Sequence, residues 1–164
     1  MAAKKIIILT GEIQTGKTTA LFNWVNKRKD VAGVLTPVVE GKRFFYSIPD
    51  EAYYNMESIG DEEILQVGRF SFSAAQFEKT NDFILKWMNE PAWEYMVIDE
   101  IGPLELVQQK GLWTSLSSIL EKDFDKTIIL VVRKSLYEQV KGLFEARSFN
   151  TTVTSTDEFH RFVD

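Results

Sequence analysis

The segment G-E-I-Q-T-G-K-T at residues 11–18 constrains this chain more than any other feature. It fits the pattern G-x-x-x-x-G-K-[ST] at every fixed position, and the apolar segment KKIIILT precedes it. Residues 18–29 have the apolar spacing of a helix, so the segment lies between a predicted strand and a predicted helix. Backbone N–H groups and the positive end of a helix dipole bind phosphate in such a loop. The sequence therefore predicts a phosphate-binding loop.

Each fixed position of the predicted loop has a physical role. Gly11 and Gly16 relieve steric limits where the backbone turns close to an anion. We expect Lys17 to reach the β- and γ-phosphates of a nucleotide and the Thr18 hydroxyl to bind Mg²⁺. Thr19 would assist at the α-phosphate. The rest of the predicted nucleotide-binding segment consists of Glu12, Ile13, Gln14 and Thr15.

A pair of acidic residues follows a second apolar segment, YMVID, at residues 95–99. Asp99 and Glu100 would lie at the carboxyl end of a buried strand, where ligands bind in open α/β sheets. We expect Asp99 to bind Mg²⁺, directly or through water. Glu100 would act as the catalytic base, because a carboxylate can polarise a water molecule that attacks the γ-phosphate. The pair therefore predicts hydrolysis rather than transfer to another acceptor.

Phosphoryl chemistry commonly uses a further cation on the transition state, and an arginine there is worth roughly 10³ to 10⁵ in rate. Arg133 directly follows the apolar segment TIILVV and should emerge at the same sheet edge as Asp99. We favour Arg133 as this catalytic cation, beside Lys17. Arg43 and Arg69 are the alternatives.

The order of predicted elements indicates the fold class. Strands that alternate with helices of ten or more residues imply crossover connections and a mostly parallel sheet. Residues 43–72 break that rhythm and predict an antiparallel hairpin insertion, with a Pro-Asp turn. Ser73 is the predicted cap of the following helix. The predicted strands are 4–10, 33–39, 43–48, 52–58, 67–72, 95–99, 127–132 and 150–154, and the helices are 18–29, 74–89, 111–121, 135–144 and a terminal turn at 156–162.

Length and composition narrow the alternatives. The chain has 164 residues, which suits a single α/β domain over residues 1–164 with helices on both faces of the sheet. It has no cysteine, which excludes a thiol nucleophile and a thiolate zinc site. Its net charge of −5 argues against nucleic-acid binding. No stretch is long and apolar enough for a membrane span, so we expect a cytoplasmic protein without membrane association. The sequence does not indicate a protein partner.

Four motifs occur in order: G-x-x-x-x-G-K-T-T, then G-V-L-T at 33–36, V-G-R-F at 67–70, and V-I-D-E-I-G-P-L-E-L at 97–106. Together they resemble the THEP-type nucleoside-triphosphatase family over residues 4–145. The resemblance implies a RecA-like P-loop NTPase fold and Mg²⁺-dependent hydrolysis of ATP or other nucleoside triphosphates to the diphosphate. Glu105 matches the second acid of the family's motif, for which the sequence suggests no role.

Three departures from the family pattern concern charge and flexibility. Glu12, Ile13 and Gln14 replace the usual Pro-Pro-Gly of the loop, Glu40 stands where arginine is expected, and residues 153–158 lack the usual arginine of V-T-x-x-N-R. Because two basic positions are missing, we expect slow hydrolysis.

Two alternatives to a hydrolase remain open. A kinase for a nucleotide or another small molecule would need an acceptor pocket and an arginine-bearing lid, and the sequence shows no arginine-rich insert. A non-catalytic nucleotide-binding accessory protein is the other alternative, favoured by the altered loop. Phosphate release from ATP alone would separate the hydrolase from both.

Overall fold

The computed structural model describes residues 4–11, 16–60 and 63–163. The strands in these ranges are β1 (Lys5–Gly11), β2 (Val31–Leu35), β3 (Val38–Val39), β4 (Lys42–Ser47), β5 (Ala52–Asn55), β6 (Ile64–Val67), β7 (Phe70–Ser73), β8 (Tyr95–Ile101), β9 (Thr127–Arg133) and β10 (Asn150–Thr154). The helices are α1 (Lys17–Val25), α2 (Ala74–Met88), α3 (Pro103–Leu106), α4 (Trp113–Glu121), α5 (Tyr137–Glu145) and α6 (His160–Val163).

The main sheet has the strand order β10-β1-β9-β8-β2-β4-β3, and β5 pairs with β4. The five strands from β10 to β2 are parallel to their neighbours. Strand β4 is antiparallel to β2, β3 and β5. Strands β6 and β7 form a separate antiparallel pair. The predicted α/β fold with a mostly parallel sheet is therefore confirmed.

Successive side chains along each parallel strand point to opposite faces of the sheet, so each face has its own hydrophobic core. Ile6 and Ile8 of β1 pack in the larger core with α2, α4 and α5. Ile7 and Leu9 pack in the other core with α1 and α6. Because both faces are covered, these strands appear in the sequence as continuous apolar runs rather than as alternating patterns. The predicted helices on both faces are confirmed.

The predicted start of α2 is also confirmed. Ser73 has extended backbone angles, and its hydroxyl oxygen accepts a hydrogen bond from the backbone N–H of Gln76 at 3.3 Å. This contact satisfies one of the N–H groups that have no partner within the first turn of a helix. The helix ends at Met88, before Pro91.

The prediction of one strand over residues 67–72 is wrong. Val67 ends β6 and Phe70 begins β7, and Gly68 and Arg69 form the turn between them. Gly68 has a φ of +56°, a conformation that glycine adopts without a steric cost. The apolar residues on both sides of this turn suggested a continuous strand. A single glycine did not exclude that interpretation, because a glycine within a strand pattern can also mark a bulge.

The region around residues 43–72 contains two hairpins rather than one. The predicted hairpin is present as β4 and β5, but β4 also extends the main sheet beyond β2. The predicted strand at 33–39 is divided into β2 and β3 by the segment around Pro37, which lacks a backbone donor. Strand β3 is at the edge of the sheet, as expected for a strand that follows proline.

Candidate active site

The carboxyl ends of the parallel strands bring distant parts of the chain together. Gly11 at the end of β1 is paired with Arg133 at the end of β9. Strand β8 lies on the other side of β9 and carries Asp99 and Glu100 near its own carboxyl end. Because parallel strands end at the same edge, Gly11, the acidic pair and Arg133 all lie along this edge.

Helix α1 begins at this edge, directly after Gly16. Gly16 has a φ of +79° and, having no side chain, cannot cap the helix; the first turn also carries no acidic residue. Gly16 therefore does not block an anion from approaching the N–H groups of that turn. The Lys17 ammonium lies 3.4 Å from the carbonyl oxygen of Gly11, and Thr19 is exposed. The predicted loop residues Glu12, Ile13, Gln14 and Thr15 lie outside the described residues.

Asp99 connects the start of α1 with the end of β2. Its side chain is buried, and Oδ2 accepts hydrogen bonds from the Thr18 hydroxyl at 2.8 Å and from the Thr36 backbone N–H at 2.9 Å. Burial raises the pKa of the Asp99 carboxyl, and these two hydrogen bonds oppose the increase. The contact with Thr18 joins the two residues that the sequence predicted as Mg²⁺ ligands.

The residues around Asp99 fit a magnesium ion. Thr18 and Asp99 offer two oxygen ligands, and the Thr36 hydroxyl is buried beside them. The described part of the chain has no group of three or more histidine, aspartate or glutamate side chains placed to bind a metal. Mg²⁺ does not need such a cage, because it usually binds one or two carboxylates and completes its shell with water and substrate phosphates.

Glu100 has an unusual backbone conformation. Its φ is +65°, and the pairing of β8 with β9 is irregular between Ile98 and Ile101. An extra residue in one strand turns a side chain away from the regular pattern, and such irregularities are common beside active sites. As a result, Asp99 is buried, whereas the Glu100 side chain is 31% exposed.

Two arginines bind the Glu100 carboxylate. Arg43 Nη1 lies 2.7 Å from Oε2, and Arg133 Nη2 lies 3.6 Å from Oε1. Arg133 is the cation that the sequence favoured, whereas Arg43 was only an alternative. The third candidate, Arg69, is exposed in the β6–β7 turn, with its guanidinium 5.3 Å from the ring of Phe70. The sequence contained no signal for the approach of Arg43, because that approach depends on the direction of β4.

Glu105 has a structural role that sequence reasoning missed. It is buried, and its two oxygens accept hydrogen bonds from the backbone N–H groups of Gly102 at 3.0 Å and Leu112 at 2.9 Å. Burial raises the pKa of the Glu105 carboxyl to about 7, and the two backbone hydrogen bonds oppose the increase. The spacing from Gly102 to Glu105, with Pro103 between them, is that of a helix start, and it could have suggested this contact.

A cleft of about 70 Å³ opens beside Glu100, between the main sheet and the β6–β7 hairpin. Charged groups line its mouth, and its buried lining is mainly apolar but includes Thr36, Asp99 and Glu105. The lining residues are Thr36, Arg43, Phe45, Met56, Val67, Phe70, Phe72, Phe77, Asp99, Glu100, Gly102, Pro103, Leu104, Glu105, Leu112 and Arg133.

The P-loop NTPases are defined by three features of a parallel α/β sheet: a glycine-bounded loop after a strand, a helix that starts directly after the loop, and an aspartate at the same sheet edge. The NTPase family matches residues 6–161, so the chain belongs to the THEP-type family of P-loop NTPases, which are nucleotide-binding proteins. No curated protein sequence matches the chain significantly.

Two solved structures share the fold. The structure of THEP1 from the hyperthermophile Aquifex aeolicus has a TM-score of 0.68 and 20% identity, and the match covers 96% of this chain and 93% of that protein. The solution structure of a human cancer-related nucleoside triphosphatase has a TM-score of 0.67 and 20% identity, with coverages of 98% and 96%. At this identity the two matches show the fold. Within the described residues, no helix has the length and apolar character needed to cross a bilayer.

Proposed function

We propose that this protein binds a nucleoside triphosphate with Mg²⁺ and hydrolyses it slowly to the diphosphate and phosphate. The observation that carries the proposal is the 2.8 Å hydrogen bond from the Thr18 hydroxyl to Asp99 Oδ2. It joins the helix that follows the phosphate-binding motif to the strand that carries the predicted base. Membership of the NTPase family and the two structural neighbours support this proposal.

The start of α1 would bind the phosphates. The residue at its N-cap, Gly16, has no side chain to compete with a phosphate, and Lys17 lies at the first helical position. Lys17 would move from the Gly11 carbonyl, 3.4 Å away, to the β- and γ-phosphate oxygens, since a charged acceptor binds an ammonium more strongly than a carbonyl does. Gly11 and Gly16 would let the backbone approach the same phosphates, and Thr19 would assist at the α-phosphate.

Thr18 and Asp99 would bind the Mg²⁺ ion. When bound, the ion neutralises charge that develops on the phosphate oxygens. Asp99 must be ionised for this role, and the two hydrogen bonds to Oδ2 favour the ionised form.

Glu100 would accept a proton from the attacking water. Each of its oxygens faces an arginine, at 2.7 Å and 3.6 Å, and still has a lone pair that can take the proton. Either arginine would also be close enough to the γ-phosphate to stabilise its transition-state charge. Slow turnover is expected because the two basic positions of the family pattern are missing, at Glu40 and within residues 153–158.

The substrate range would be broad, with ATP among the substrates. The family resemblance implies this tolerance, and the sequence contains no N-K-x-D motif for reading guanine. We also propose a cytoplasmic location, where nucleoside triphosphates and Mg²⁺ are available and where a chain without cysteine loses nothing by reduction.

Mg²⁺-dependent phosphate release from ATP, GTP, CTP and UTP tests this function, with Lys17→Ala and Glu100→Gln as variants. Lys17→Ala should lose triphosphate binding, because the ammonium is the main charge facing the phosphates. Glu100→Gln should still bind the nucleotide but should lose hydrolysis, since an amide cannot take the proton. Full turnover in Glu100→Gln would remove the assigned base. Binding without any phosphate release in the wild type would overturn the hydrolase and leave the kinase and the accessory-protein alternatives.

A further inference from the structure

The cleft beside Glu100 is larger than a hydrolase requires. A single water molecule needs about 10 to 15 Å³ of such a volume, whereas the cleft offers about 70 Å³. It continues from the carboxylate into the space between the main sheet and the β6–β7 hairpin. The additional volume therefore has room for a group much larger than the attacking water.

The interior of the cleft is apolar and aromatic. Phe45, Phe72 and Phe77 contribute to its walls from β4, β7 and α2, and Met56 and Leu112 also line it. All five side chains are buried, and the rings of Phe45 and Phe77 meet edge to face at 4.8 Å. These five side chains offer no hydrogen bonds to water and favour an apolar or ring-shaped occupant, although Glu105 also lines the cleft with its oxygens bonded to backbone N–H groups.

The mouth of the cleft contains the groups that would act on a phosphoryl acceptor. Glu100 and both of its arginine partners line it, and Asp99 lies beside them on the side of the predicted metal. Of the two ion pairs on Glu100, the one with Arg133 is the longer, at 3.6 Å. Oε1 is therefore the oxygen that is more easily released to accept a proton.

We propose that this cleft binds a small alcohol or phenol with an apolar, ring-sized body, and that the protein transfers the γ-phosphoryl group to its hydroxyl. The inference rests on the proposed triphosphate binding at Lys17 and Thr18. The apolar body would fill the aromatic interior, and the hydroxyl would remain at the mouth beside Glu100. An occupant placed in this way also excludes the water that would otherwise be the acceptor.

The transfer balances without a further reactant. The hydroxyl oxygen forms a bond to the γ-phosphorus while the bond from that phosphorus to the β,γ-bridging oxygen breaks. The nucleoside diphosphate leaves with that electron pair, and the hydroxyl proton passes to Glu100 Oε1 and then to solvent. The products are a phosphate monoester, the nucleoside diphosphate and a proton.

Product analysis with MgATP and a probe alcohol tests the inference. Benzyl alcohol, phenol and cyclohexylmethanol serve as probes, and ³¹P NMR measures the ratio of phosphate ester to inorganic phosphate. The wild type should form ester from at least one probe. Val67→Phe introduces a ring at the cleft and should lower the ratio of phosphate ester to inorganic phosphate at least about tenfold. An effect of this size is expected when a bound molecule loses one well-fitted contact in an apolar pocket. Ile64→Phe is the matched control on the same strand, because Ile64 is exposed and does not line the cleft.

A binding measurement on the wild-type protein tests the cleft even if the Val67→Phe variant does not fold. In wild-type protein labelled at the methionine methyl groups, benzyl alcohol should shift the resonance of Met56, which lines the cleft, and should leave that of Met88 at the end of α2 unchanged. Phosphate release without ester from any probe, together with an unshifted Met56 resonance, would overturn the acceptor site and leave the hydrolase proposal intact. If neither ester nor phosphate formed, both proposals would fail.

Discussion

The parallel strands and the antiparallel hairpins contribute differently to the site. The parallel part supplies the phosphate-binding and metal-binding candidates Lys17, Thr18 and Asp99, together with Arg133, all at the carboxyl edge of the sheet. The hairpins supply Arg43 and most of the aromatic wall of the cleft. The parallel part thus provides the groups that face the nucleotide, whereas the hairpins determine what else reaches Glu100.

Strand direction explains this difference. A parallel strand followed by a helix always presents its carboxyl end at the same edge, so motifs at strand ends meet there. Strand β4 runs antiparallel to β2, with Tyr46 opposite Leu35, and its beginning therefore lies at that edge. Arg43 reaches the site for this reason, although it is at the start of its strand.

The largest expected effect is on the stability of the parallel sheet. Gly33 in β2 has a φ of +121°, and an added Cβ would lie 2.0 Å from the carbonyl oxygen of Val97 in β8. Because that neighbour is backbone within the sheet, Gly33→Ala should lower the free energy of unfolding by more than about 4 kcal/mol. Guanidinium unfolding followed by circular dichroism measures this. A stability within about 1 kcal/mol of the wild type would show that the strands can separate locally.

The second prediction compares one arginine from each region. Arg133→Ala and Arg43→Ala should each lower kcat by roughly 10²-fold, because each removes a cation near the developing phosphate charge. Steady-state phosphate release gives kcat and KM separately. Arg69→Ala, in the exposed β6–β7 turn, is the control and should keep the wild-type kcat. If only Arg133→Ala slowed turnover, the hairpins would contribute shape but no catalytic charge.

The third prediction concerns the buried carboxylate of Glu105, which joins α3 to the start of α4. Its pKa is raised from 4.5 to about 7, so the folded protein binds this proton more tightly than the unfolded chain does. Its contribution to the free energy of unfolding is therefore fully present below pH 4.5 and is lost as the pH rises to about 7, a change of about 3 kcal/mol at most.

Glu105→Gln removes this titration and keeps the size of the side chain. The stability of the wild type relative to the variant should therefore fall between pH 5 and pH 7 and stay constant above pH 8. Guanidinium unfolding midpoints of both proteins across this range test it. Parallel curves would show that the two backbone hydrogen bonds fully balance the burial of the charge.

The smallest effect is expected in the β6–β7 turn. Gly68 has a φ of +56°, but no atom lies within 4 Å of an added Cβ. Gly68→Ala should therefore cost only the strain of a left-handed alanine, about 1 kcal/mol. Gly60→Ala is the matched control, since Gly60 has equal space and no left-handed backbone, and it should be close to neutral. A loss as large as that of Gly33→Ala would contradict the tolerance that we assign to the hairpins.

The sequence alone determined the features that depend on residues close to one another along the chain. Three features follow from local spacing and side-chain chemistry: the motif at residues 11–18, the apolar strand with Asp99 and Glu100 near its carboxyl end, and the cap at Ser73. The order of strands and helices was enough to predict the parallel sheet. The catalytic and binding roles assigned to the site residues stay predictions, because only an activity measurement tests them.

Only the tertiary structure decided which distant groups meet. The contact between Thr18 and Asp99, the two arginines on Glu100 and the backbone partners of Glu105 join residues from separate elements. So does the aromatic cleft, whose walls come from both parts of the molecule. Spacing along the chain carries no information on such pairs, since they depend on strand direction, register and packing between elements that are far apart in sequence.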